Sequence, residues 1–126
     1  MILELTIRNL ALIDELRVQF GAGLNLLTGE TGSGKSIIID AMNLALGERA
    51  SADAIREGAN QAFVEAAFDV SSRPALMQEV EASGQECADG VIVLSRELNR
   101  NGRSLCRING RLSTLGQLKG IADLLV

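Results

Sequence analysis

The chain has 126 residues, 47% of them apolar, with 12 basic and 16 acidic side chains and a net charge of −4. That suits one globular domain or part of one and excludes a disordered chain. Aromatic residues make up 2%, with no Trp or Tyr, so the core must be aliphatic and there is no platform for stacking nucleobases. His is absent, and Cys87 and Cys106 have no second pair, which removes a tetrahedral metal site and the commonest general base. Both cysteines read as small buried or half-buried hydrophobes.

Met1 runs straight into an alternation of Leu3, Leu5 and Ile7 with Glu4, Thr6 and Arg8. This predicts a half-buried strand and leaves no pattern of a signal peptide. With no apolar run long enough to span a bilayer, a cytoplasmic location without a membrane partner is expected. Leu16, Val18 and Phe20 alternate with Arg17 and Gln19, and the short connection over 9–15 predicts a hairpin.

Residues 29–36, Gly29-Glu30-Thr31-Gly32-Ser33-Gly34-Lys35-Ser36, complete the pattern G-x-x-x-x-G-K-S. They lie between the apolar runs Leu24, Leu26, Leu27 and Ile37, Ile38, Ile39, giving the strand–loop–helix context a phosphate-binding loop needs. The glycines let backbone N–H groups turn toward phosphate oxygens, and the helix N-terminus adds positive potential behind them. In this pattern Lys35 reaches the β- and γ-phosphates, and the Ser36 hydroxyl is a Mg²⁺ ligand. The expected binding set is Gly29, Glu30, Thr31, Gly32, Ser33, Gly34, Lys35, Ser36 and Ile37, with ATP and Mg²⁺ as ligands and Lys35 as the catalytic residue.

The helix runs to about Leu46 and stops at Gly47. Apolar residues nearly encircle it, so packing on both sides must hold its β-branched run. Asp40, one turn beyond Ser36, reads as a hydrogen-bond acceptor toward a loop rather than a catalytic carboxylate. Residues 47–60 predict a loop with one short helical turn, and Phe63, Val64, Ala66, Ala67, Phe68 and Val70 a strand. Pro74 opens a helix to about Ala82. Residues 91–98 read as a strand, Asn101-Gly102 as a two-residue hairpin turn, and 104–109 as the returning strand, closed by Asn109-Gly110. Ser113 or Thr114 caps a last helix with Leu115, Leu118, Ile121, Ala122 and Leu125 on one face. The chain stops at Val126 inside apolar sequence, which does not look like a natural terminus.

Charge is unevenly placed: residues 1–89 carry 6 basic and 14 acidic side chains, net −8, and residues 90–126 carry 6 and 2, net +4. Arg96, Arg100, Arg103, Arg107 and Arg111 account for most of the second value and point to an anionic partner, or else to solvated hairpin arginines.

Beyond the phosphate loop, the stretches 5–13, 37–41, 46–50, 55–58, 95–97 and 101–111 resemble the ABC-type ATPase heads of the SMC and RecN group, over nearly the whole chain. Glu30-Thr31 inside the loop is the RecN-like form. The resemblance implies an α/β P-loop NTPase fold: the N-terminal lobe of an ABC-type head. This lobe has a mixed sheet, an antiparallel β-subdomain over about 62–111 and a buried phosphate-loop helix. It implies a C-terminal head half that returns after a coiled coil with the Walker B carboxylates, the signature motif and a switch His; these are absent here. It further implies a second head sandwiching ATP and DNA as partner of the intact protein, in recombinational repair of double-strand breaks. By the same resemblance Asn9, Arg49 and Arg56 lie near nucleotide or DNA, while the charge pattern of residues 90–126 makes Arg100 and Arg103 candidate DNA contacts. Arg49 and Arg56 read equally as solvated loop residues.

Two other classes stay open: a self-contained P-loop kinase or GTPase-like switch, and an inert interaction fragment. The first needs an apolar strand ending in Asp, but Ser95 follows the run Val91-Ile92-Val93-Leu94. Asp69 is a weak substitute, better read as a surface carboxylate at a strand end.

Overall fold

The computed structural model describes residues 2–20, 32–49, 51–82, 84 and 88–125, with the backbone alone for 32–37 and 88. The elements in order are β1 (Ile2–Leu10), β2 (Ile13–Gln19), α1 (Gly32–Ala45), β3 (Gln61–Asp69), α2 (Pro74–Ala82), β4 (Val91–Asn99), β5 (Ser104–Ile108), β6 (Arg111–Ser113) and α3 (Leu115–Leu125). Short 3₁₀ turns at Ala52–Ala54 and Ala88–Gly90 complete them. The strands form one sheet in the order β2-β1-β3-β4-β5-β6, and every described pair is antiparallel. The strand expected at Leu24, Leu26 and Leu27 lies outside the described residues.

Alternation along each strand sorts the sheet into two faces. On the inner face Leu5, Ala66, Leu94 and Ile108 stand in cross-strand register, and all are fully buried. The next row is Ile7, Val64, Arg96 and Cys106. Against this face pack Ala41, Leu44 and Ala45 of α1 and Leu118, Ile121 and Ala122 of α3. Truncating Ile7 or Ile108 to Ala there costs about 2–5 kcal/mol by the usual cavity penalty. The outer face carries the row Thr6, Glu65, Ser95 and Arg107, where Ser95 Oγ donates to Glu65 at 3.4 Å.

Turn chemistry departs from expectation at the hairpin that follows β4. Gly102 N–H bonds Asn99 O at 2.9 Å and Asn99 N–H bonds Arg103 O at 2.8 Å, so the loop has three residues, 100–102, rather than two. Gly102 takes φ +93 while Asn101 keeps a negative φ, which excludes the two-residue turn with both central residues left-handed. Asn109 and Gly110 do adopt that turn, at φ 52 and 83, and lead into β6, a strand the sequence reading omits. Leu115 also departs from the expected apolar face of α3: it is 40% exposed, because it sits in the first turn ahead of the buried Leu118.

Candidate functional site

Helix α1 starts inside the phosphate-loop motif. Its helical backbone begins at Gly32 and continues through Ser33, Gly34, Lys35, Ser36 and Ile37. The first N–H groups of a helix have no partner within it, so the backbone here is suited to an anion, as the motif requires. Gly29, Glu30 and Thr31 lie outside the described residues. From Ile38 onward one side of α1, with Ala41, Leu44 and Ala45, is buried, whereas Ile39 on the other side is 60% exposed. Asp40 is exposed.

The other end of α1 is closed by two devices. Gly47 N–H bonds Leu44 O at 3.1 Å and Glu48 N–H bonds Asn43 O at 3.0 Å, a Schellman pair made by Gly47 at φ +103. A side chain at Gly47 would also collide with Lys119 of α3. The second device is Arg96, which is 2% exposed and so leaves the expected surface row of arginines. Its Nη1 donates to Leu44 O at 3.0 Å and Glu48 O at 2.9 Å, and its Nε and Nη2 donate to Ser104 Oγ at 3.2 and 3.0 Å. Burial lowers its pKa and raises that of the adjacent Cys106 thiol, which Arg96 partly pulls back. Cys106 is the small buried residue expected, and Cys87 lies outside the described residues. The alternation of β4 contains the missed signal, since Arg96 shares parity with Leu94 and Leu98 and must point inward.

Asn9, Arg56 and Arg100 come together at one corner. Asn9, at φ 52, accepts from Arg56 N–H at 2.8 Å, and Ala11 N–H bonds Ala54 O at 2.7 Å. The Arg100 guanidinium donates to Arg56 O at 3.0 Å and to Ala59 O at 2.9 and 3.2 Å. An open cleft of about 510 Å³ lies here, lined by Asp53, Ile55, Glu57, Gly58, Ala59, Asn60 and Arg100. Arg49, Arg56 and Arg103 are exposed. Arg107 turns to the outer face, 3.8 Å from Glu97, so the arginines of β4 and β5 form no continuous basic stripe.

Asp69 ends β3 and accepts hydrogen bonds from Ser71 Oγ at 2.6 Å and Ser71 N–H at 2.9 Å, which lower its pKa. Among the described residues no group of three or more carboxylates or cysteines is placed to hold a metal. Among the described residues no helix is long and apolar enough to cross a membrane.

The AAA domain family profile matches residues 4–117. The chain belongs to the AAA domain family. This AAA domain is 48% identical, over all 126 residues, to DNA repair protein RecN of Halalkalibacterium halodurans and 43% identical to that of Bacillus subtilis. It spans 22% of the length of each of these curated relatives. Among solved structures it superposes with TM-score 0.76 and 27% identity on a chain from work on ATP-driven dimerization and DNA-stimulated activation of SMC ATPases, covering 98% of this chain and 78% of that one. The expected ABC-type head fold and the resemblance to RecN both stand, and nothing in relatives or fold favours a kinase, a GTPase-like switch or an inert fragment.

Proposed function

We propose that this AAA domain is the N-terminal lobe of the ATP-binding head of an SMC-like protein of recombinational DNA repair, working in the bacterial cytoplasm. One observation carries the reading: the G-x-x-x-x-G-K-S sequence coincides with the N-terminus of α1, in a chain related along its whole length to DNA repair proteins. Backbone N–H groups at the start of α1 and the Lys35 ammonium bind the triphosphate, and the Ser36 hydroxyl is the protein's share of a Mg²⁺ site. Bound Mg²⁺ would neutralise phosphate charge. Among the described residues the buried Ser95, not a carboxylate, follows the apolar start of β4, so hydrolysis draws its carboxylates from elsewhere in the protein. The lobe by itself is expected not to hydrolyse ATP, although it carries the nucleotide-binding motif.

The missing groups come from the protein's own C-terminal head half, and a second head closes over the nucleotide. The exposed Ile39 on α1 is consistent with further chain packing there. DNA is the partner of the intact protein, met by Arg49, Arg56 and Arg103. Lys35→Ala in the full-length protein is expected to abolish ATP binding in calorimetry. Undiminished affinity would remove Lys35 from the site.

A further inference from the structure

Arg96 is the one described arginine with its whole side chain in the core, and it has no carboxylate partner among the described ion pairs. Its charge is balanced by carbonyl oxygens at the negative end of α1 and by a hydroxyl of β5. Each acceptor belongs to a segment that matters. Leu44 O lies in the last turn of α1, Glu48 O directly precedes Arg49, and Ser104 directly follows Arg103. Glu48 is held on both sides, its N–H by Asn43 O and its carbonyl by Arg96. A planar guanidinium can reach all three acceptors at once, and a lysine ammonium on a flexible stem cannot do so with the same geometry.

We propose that Arg96 is a positioning residue for the phosphate-loop helix, holding the C-terminal end of α1 and the loop after it to the β4–β5 hairpin so that nucleotide affinity depends on it. The proposal rests on the reading of this chain as an ATP-binding lobe. A 14-residue helix is about 21 Å long, so Arg96 stands about four turns from the phosphates and acts only through α1. Sheet packing buries one side of α1 and leaves Ile39 outside. Among the described residues no second layer covers that side of the helix, and a tether at its end fixes its axial position and rotation.

The test uses full-length protein carrying Arg96→Met, Arg96→Lys or Ser104→Ala, with Lys35→Ala as control. Two readouts are taken: affinity for a fluorescent ATP analogue, and amide hydrogen exchange without nucleotide. Arg96→Met is expected to weaken binding about tenfold and to speed exchange over residues 44–49, with the rest of the sheet unchanged. Arg96→Lys and Ser104→Ala give smaller changes of the same kind, and they carry the test if the Met variant does not fold. Wild-type affinity with wild-type exchange over 44–49 in folded variants would overturn the proposal. So would faster exchange spread evenly through the sheet at unchanged affinity, which is what a purely structural arginine gives. If wild-type protein binds no analogue, the ATP-binding reading fails with it, and the proposal is overturned in its nucleotide part even where exchange responds.

Discussion

Gly47 is one residue with two duties. It takes φ +103 to end α1, and a Cβ there would strike Lys119, which lies on α3. The first duty is legible in sequence, because a glycine after a periodic helix marks its stop. The second depends on a residue far along the chain and is not. Gly47→Ala should lower stability by about 1–3 kcal/mol, the usual cost of a strained backbone, with some repacking of the flexible Lys119 stem. Urea unfolding reads it as a lower midpoint at unchanged slope; an unshifted midpoint would show that the turn relaxes without glycine. Arg96 makes the same point for charge. Its residue type suggests surface, its position in β4 says interior, and position wins because carbonyls at the end of α1 satisfy its donors.

Among the elements, α3 illustrates what local signals specify. Thr114 Oγ1 accepts from Gln117 N–H at 3.1 Å and Gln117 Oε1 accepts from Thr114 N–H at 3.0 Å, a reciprocal capping box. Thr114→Ala is expected to cost about 1 kcal/mol, measured by the same urea unfolding, and Thr114→Ser to recover most of it. β1, β3, α2 and β4 were readable for a similar reason: alternation, a first-turn proline and glycine stops are short-range patterns. β6 was not, because three residues are too few to show a period and only pairing with β5 makes them a strand. The hairpin loop at 100–102 is one residue longer than the expected turn, since an Asn-Gly pair suits both a two-residue turn and a three-residue loop ending in a left-handed glycine.

At the scale of the molecule, the positive net charge after residue 89 does not become a uniform basic surface. Arg96 is buried, Arg107 faces Glu97, and Arg100 is committed to the carbonyls of Arg56 and Ala59. Reversing Arg100 would disturb that corner, so a clean test of DNA contact uses Arg103, which is exposed in the hairpin. In the intact protein Arg103→Glu should weaken DNA binding and flatten its salt dependence by about one unit of slope, read from titrations at several salt concentrations. Unchanged affinity at low salt would take Arg103 off the DNA surface. The sequence by itself determined the G-x-x-x-x-G-K-S motif of residues 29–36, the aliphatic core and most of the elements, because spacing, turn residues and strand parity act within a few residues. Only the tertiary structure decided the sheet order, the meeting of Asn9 with Arg56 and Arg100, and the burial of Arg96 behind α1. Those depend on strand register and on hydrogen bonds between segments roughly 40 to 50 residues apart, as from Arg96 to Leu44, 52 positions away. No local pattern encodes such pairings, and one of them ties the C-terminal end of α1 to the β4–β5 hairpin through Arg96.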